Sequence, residues 1–302
     1  LHVVIKNKKR YCLWKENNYL NISFHFILLS KLLRIMNKKI LITGATDGIG
    51  FQTSKHLIRQ GHHVLLHGRS HEKLNYLKRE VFKSKDIETY TADLSSIDTV
   101  SNLAMQVLNK HADLDVLINN AGVLKASNTV TVDRLDVRFA VNTIAPFLLT
   151  EKLLPILKNS GRVINVASAA QMPVNIDAIV SNVTSLEDMA AYSQSKLALI
   201  MWSKTMSNLI KEDDTVFVSV NPGSLLNTKM VTEAFGIKGK DPKIGAEILV
   251  RLAVKEPSSN ISGKYFDNDK KTFSQHHKDA LNKKKCDDLI KVLGDLVLKK
   301  CK

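Results

Sequence analysis

Tyr192 and Lys196 stand four residues apart in Ala191-Tyr192-Ser193-Gln194-Ser195-Lys196. In a helix that spacing puts both side chains on one face. A free phenol ionises near a pH of about 10, too high to serve as a base at neutral pH. A neighbouring ammonium favours the phenolate and lowers that value. The pair would then give or take a proton near neutrality, and the ammonium can also bind a ribose. Alone, a Tyr and a Lys at this spacing are common, so neighbours must supply the rest of the chemistry. Ser168, in Val163-Ile164-Asn165-Val166-Ala167-Ser168-Ala169, offers a hydroxyl to hold a substrate oxygen beside Tyr192. Asn142, in Val141-Asn142-Thr143-Ile144-Ala145-Pro146, is polar in an otherwise apolar stretch. A buried amide without partners is costly. Holding a water in a proton relay would give it a purpose; a satisfied core asparagine is the alternative.

These residues need a scaffold, and the hydrophobic pattern supplies one. Apolar runs at residues 40–43, 64–67, 88–91, 116–118, 162–166, 216–220 and 264–266 read as strands. Several are apolar throughout, as strands buried on both faces must be. Helical patterns lie between them, at residues 50–60, 96–110, 132–157, 189–210 and 243–254, and the tail at 273–298 also reads as helix. Such alternation predicts a parallel sheet covered by helices on both faces, a single doubly wound α/β domain.

A glycine-rich turn, Thr43-Gly44-Ala45-Thr46-Asp47-Gly48-Ile49-Gly50, joins the first strand to the first helix. Glycine lets the chain turn sharply and lets its backbone approach a pyrophosphate. The helix N-terminus then offers free N–H groups to the phosphates. The end of the second strand should carry an Asp or Glu if a ribose diol is bound. It reads His67-Gly68-Arg69-Ser70 instead. A guanidinium forks onto a 2′-phosphate, so NADP(H) is favoured over NAD(H). Asp93-Leu94, after the third strand, places a carboxylate where an adenine amine would lie. Asn119-Asn120-Ala121-Gly122, after the fourth, lets the chain pass close to the same ligand.

With TGATDGIG, Asp93, NNAG, Asn142, Ser168, YSQSK and Asn221-Pro222-Gly223 in this order, the chain resembles the short-chain dehydrogenase/reductase family over residues 38–266. The resemblance implies a Rossmann-type fold and a hydride transfer between a nicotinamide and a carbonyl or alcohol carbon. It implies that Tyr192 is the acid/base, that Lys196 lowers its pKa and orients the ribose, that Ser168 positions the substrate oxygen, and that Asn142 completes the relay. Pro222, Gly223 and Thr228 resemble the family's nicotinamide-side loop. Ser168 and Tyr192 are 24 residues apart, wider than is usual in the family. The insert, roughly residues 171–187, resembles that of the retinol dehydrogenase-like branch, and Arg69 fits the same branch. The insert is expected to form one wall of the substrate pocket. The other wall is expected from residues 225–240, which include Leu225, Leu226, Met230, Val231, Phe235 and Ile237. The substrate would be lipophilic: retinal-, steroid-, quinone- or aldehyde-like. A catalytically idle dinucleotide-binding redox sensor or scaffold is the rival reading.

Composition bounds the rest. The chain has 302 residues, 44% of them hydrophobic and 24% charged, which excludes a disordered tail, a collagen or a disulfide scaffold. Cys12, Cys286 and Cys301 have neither disulfide nor metal spacing, so no metal site and a reducing, cytoplasmic setting are expected. The net charge of +15 is spread thinly apart from residues 1–35, which hold seven Lys or Arg and one Glu. No nucleic-acid motif accompanies it. Residues 1–35 read as a basic extension, disordered or non-native, with the start at Met36; a peripheral amphipathic membrane anchor competes with that reading. Residues 36–302 are the catalytic domain with a basic C-terminal helix. No transmembrane segment is expected, and the chain is read as a monomer or homodimer.

Overall fold

The computed structural model describes residues 37–157, 161–180, 186–210, 215–256 and 261–300. The expectations on residues 1–35 therefore lie outside the described residues. Eight strands form one sheet: β1 (Lys39–Ile42), β2 (His63–Gly68), β3 (Ile87–Thr91), β4 (Val116–Asn119), β5 (Arg162–Val166), β6 (Val216–Asn221), β7 (Lys264–Asp267) and β8 (Thr272–Ser274). Their order is β3-β2-β1-β4-β5-β6-β7-β8. All neighbours are parallel except β7 and β8.

Helices cover both faces of this sheet. One face is packed by α1 (Gly48–Arg59), α2 (His71–Tyr76) and α8 (Lys243–Val250) around Ile40, Ile42, Leu66 and Ile118. The other is packed by α3 (Ile97–Lys110), α4 (Val137–Ile156), α6 (Asp188–Leu209) and α10 (Lys283–Lys300) around Leu41, Leu117, Phe147 and Trp202. Shorter helices α5 (Ile176–Val180), α7 (Lys229–Phe235) and α9 (Lys278–Leu281) complete the set. The central strands are buried along nearly their whole length, which is why they are mainly apolar. The order reverses between β1 and β4, and the crevice at that switch point, beyond the carboxyl ends of the strands, is where such sheets bind ligands.

Two expectations on the elements need correction. The tail does not begin as helix: Phe273 lies in β8, opposite Phe266, with the rings edge to face at 5.1 Å. That pairing adds an antiparallel edge strand to the sheet, and the helical tail starts only at α9. The helix expected from residue 132 starts at Val137, because Asp136 caps it by accepting the Arg138 N–H at 2.8 Å and the preceding segment folds back on itself through a Val130–Asp136 bridge. Helix α4 is by length and mean hydropathy (1.2) apolar enough to cross a membrane. With 67% of that stretch buried in the domain, it is a core helix.

Candidate active site

The glycine turn sits at the β1 end of the crevice. Gly44 has φ +65, and a Cβ on Gly50 would lie 2.2 Å from the Gly44 carbonyl oxygen, so neither position accepts a side chain without the backbone moving. Asp47 caps α1 by accepting the Gly48 N–H at 2.7 Å. The first N–H groups of α1 have no partner within the helix and face the cleft, which Gly44, Thr46, Asp47, Gly48, Ile49 and Gly50 all line. The turn is held from two sides. Thr43 Oγ1 accepts the N–H groups of Asn120 and Ala121 (3.0 and 3.1 Å), while Asn120 Nδ2 donates to the Thr43 and Gly44 carbonyls (2.9 and 3.1 Å). His67 Nδ1 accepts the Gly44 N–H at 3.3 Å. Neither Thr43 nor His67 was singled out from the sequence as a site residue. The signal for both was position alone, at the carboxyl ends of β1 and β2.

The other candidate cofactor residues line the same cleft. Arg69 is exposed just beyond β2, Asp93 is exposed and accepts the Ser95 N–H at 2.9 Å, and Leu94 is buried. Asn120, Ala121 and Gly122 follow β4, and Pro222 and Gly223 follow β6. Thr228 caps α7, and its Cγ2 lies 3.0 Å from where a Gly48 Cβ would stand. The loop after β6 thus reaches across to the glycine turn. The cradle, the cleft-facing helix N-terminus and the guanidinium together fit a dinucleotide phosphate.

The acid/base candidates converge at the far side of this cleft. Ser168 follows β5, and Tyr192 lies in the second turn of α6, its phenol hydrogen-bonded to the Ser168 side chain. Tyr265 Oη and Gln171 Nε2 both donate to the Ser168 carbonyl, each at 3.1 Å, and fix the backbone that carries the hydroxyl. Lys196 is fully buried, donates from Nζ to the Val166 carbonyl at 2.7 Å, and lies 5.7 Å from the centre of the Tyr192 ring. Burial pushes the Lys196 ammonium down to about 7. Burial also raises the Tyr192 phenol, and the Ser168 hydrogen bond pulls it back down. Burial, rather than the lysine charge, is therefore the dominant influence on the phenol.

Asn142 sits in a π-helical turn, Ala140–Ile144, within α4. Such turns recur at functional sites. The side chain is completely buried and satisfied: Oδ1 accepts the Val123 N–H at 2.8 Å, and Nδ2 donates to the Val123 carbonyl at 2.8 Å and to Ser195 Oγ at 2.9 Å. Thr143 Oγ1 donates to the Ser195 carbonyl at 2.8 Å, so α4 is bolted to α6 beside Lys196.

The cleft has a volume of about 980 Å³. Its outer walls are Val123, Leu124, Val130 and Val132 on one side and Leu225, Leu226, Met230, Val231 and Phe235 on the other, with Met189 between. Ile237 is exposed and does not contribute. Of the wall expected from residues 171–187, none of the described residues lines the cleft. Ile179 is buried in the core beneath α10, and Met172 and Asn175 hang from α6 through their N–H groups, bonded to the Ser193 carbonyl (3.4 Å) and Gln194 Oε1 (2.9 Å). Among the described residues, no group of His, Cys, Asp and Glu is placed to hold a metal ion.

A doubly wound sheet with a cleft at its switch point is the architecture in which dinucleotides bind. The short chain dehydrogenase family profile matches residues 38–236. Human retinol dehydrogenase 13 is 31% identical over 254 residues, covering 77% of each chain, and human polyprenol dehydrogenase is 33% identical over 261 residues, covering 78% of each. The fold is similar to that of an NADPH-bound carbonyl reductase from chicken fatty liver (TM-score 0.61, 23% identity, 79% of this chain and 99% of that one). The chain belongs to the short-chain dehydrogenase family, in its retinol dehydrogenase-like branch. It is an oxidoreductase of alcohols or carbonyls.

Proposed function

We propose that the protein is an NADP(H)-dependent oxidoreductase of lipophilic carbonyls and alcohols. The observation that carries this reading is the hydrogen-bonded Ser168–Tyr192 pair beside a buried Lys196, in the same cleft as the glycine cradle. Gly44, Thr46, Asp47, Gly48, Ile49 and Gly50 receive the pyrophosphate at the α1 N-terminus. Arg69 would take the 2′-phosphate, Asp93 and Leu94 would hold the adenine, and Asn120, Ala121 and Gly122 would let the chain pass close to the cofactor. Pro222, Gly223 and Thr228 close the nicotinamide side. When bound, the dinucleotide supplies or accepts the hydride.

The protein's own share is position and a proton. Ser168 donates its hydroxyl hydrogen to the substrate oxygen. Tyr192 gives its proton to that oxygen in reduction and takes it back in oxidation. An ammonium at Lys196 stabilises the phenolate left behind and holds the ribose. The Asn142 amide is committed to Val123 and Ser195, and its share in the relay is to hold α4 against the segment that carries Tyr192 and Lys196. The apolar outer walls select retinal-, steroid-, quinone- or aldehyde-like substrates. Resemblance to proteins named for retinol and polyprenol supports that class.

The test is binding of NADPH against NADH, followed by NADPH oxidation with a panel of lipophilic aldehydes, ketones and quinones. Tighter binding of NADPH with turnover of an apolar carbonyl is expected. Binding without turnover of any panel member would favour a sensor, and absence of binding would remove the cofactor assignment.

A further inference from the structure

Arg138 is a charged residue at the heart of the helix pair that carries the acid/base candidates. It is 1% exposed. Its guanidinium reaches three segments: Nη2 donates to Asp136 Oδ2 at 2.7 Å and to the Leu186 carbonyl at 3.5 Å, and Nη1 donates to Asp188 Oδ1 at 2.7 Å. Asp136 caps α4, Leu186 ends the insert, and Asp188 opens α6. Arg138 precedes Asn142 by four residues on α4, and Asp188 precedes Tyr192 by four on α6. The fork therefore ties the two helices one turn below the level of the candidate site.

A second tie lies at the level of the site itself, where Asn142 and Thr143 grip Ser195. One tie lets two helices pivot about it; two ties at different heights fix slide and rotation together. Buried ion pairs are poor sources of stability, since desolvation offsets their attraction, and their better attested use is fixing register. Nε of Arg138 has no partner, so the group is not optimised for stability. A planar fork also fixes direction where a lysine would act as a point charge.

We infer that Arg138, through Asp188, is a positioning residue that sets the height of Tyr192 against Asn142 and Ser168. The inference rests on the proposed role of Tyr192. Misplacement by about 1 Å can cost roughly a hundredfold in rate, so a loosened fork should act on turnover and not on cofactor binding.

The test uses the full chain with Asp188→Asn, because Asp188 is partly exposed and the buried Arg138–Asp136 pair stays intact. Arg138→Lys is the second variant. Three readouts are taken: NADPH affinity by nicotinamide fluorescence, kcat and KM for NADPH oxidation with all-trans-retinal, and amide hydrogen exchange of residues 192–196 without substrate. The expected result is NADPH affinity within twofold of the parent, kcat reduced at least tenfold with little change in KM, and exchange at least tenfold faster in that segment. Unchanged exchange in both variants overturns the inference. So does faster exchange spread evenly over the whole domain, which would mark a purely structural role. If the parent turns over no retinal, the substrate reading fails, and the exchange readout still decides this one.

Discussion

His67 accepts the N–H of Gly44 on Nδ1 at 3.3 Å, while its Nε2 lies 3.1 Å from the Ala92 carbonyl. Only neutral imidazole with its proton on Nε2 makes both bonds. The ring thus joins the ends of β1, β2 and β3 at the cofactor cradle. Burial pushes its pKa down to about 4, against smaller opposing effects of the Ala92 bond and the Asp93 charge. In an unfolded chain the same ring titrates near about 6.5. Unfolded protein therefore takes up a proton between these values and folded protein does not. The stabilisation is complete above about 6.5 and is lost as the pH falls towards 4, by roughly 3 kcal/mol in all. His67→Gln keeps an acceptor for Gly44 and a donor for Ala92 without titrating. Urea midpoints at pH 7 and pH 4.5 should fall less for the glutamine variant than for the parent; equal falls would remove His67 as the cause.

Tyr192→Phe removes the transferable proton and little else. Turnover should drop by roughly 10²–10⁴-fold, with NADPH affinity within twofold of the parent. Steady-state rates paired with fluorescence titration make the comparison, and surviving turnover would reassign the acid/base.

Arg69→Asp exchanges a phosphate-binding fork for a group suited to a ribose diol. A charge-assisted hydrogen bond contributes about 1.5–3 kcal/mol, so the NADPH-to-NADH affinity ratio should fall by roughly ten- to a hundredfold. An unchanged ratio would place the 2′-phosphate elsewhere.

Gly50→Ala forces a methyl to within 2.2 Å of the Gly44 carbonyl. Overpacking of this kind costs about 1–3 kcal/mol, and here the strain falls on the turn itself. Melting temperature should drop, and NADPH affinity should drop with it. Dinucleotide binding as tight as the parent's would separate the turn from the phosphate site.

Much of this was legible in the sequence because the central strands are buried on both faces and must be apolar along their length. The cradle was legible because few residues tolerate the conformation at Gly44 or the contact at Gly50. What stayed hidden depends on partners far along the chain. Phe273 reads as helical until Phe266 is set opposite it. The insert reads as a pocket wall until Ile179 is seen to bury against the core beneath α10. Arg138 looks like a surface charge, since nothing local announces Asp188, 50 residues away.

The loop that walls the outer cleft is pinned at its base. Asn227 donates its N–H to the Lys240 carbonyl at 2.6 Å, and Lys240 returns one to the Leu225 carbonyl at 2.8 Å. Ser224, just before it, is anchored to Asp269 through both its N–H and its hydroxyl. Beyond Met230 and before the Lys240 anchor, the loop tolerates change in length and composition at small entropic cost. Thr228, which meets the glycine turn, lies near the first anchor. Recognition of the substrate and grip on the dinucleotide are thus written in separate stretches of one loop. The distal stretch, with Val231 and Phe235, can be exchanged as a cassette to retune what the cleft accepts while the cradle stays as it is.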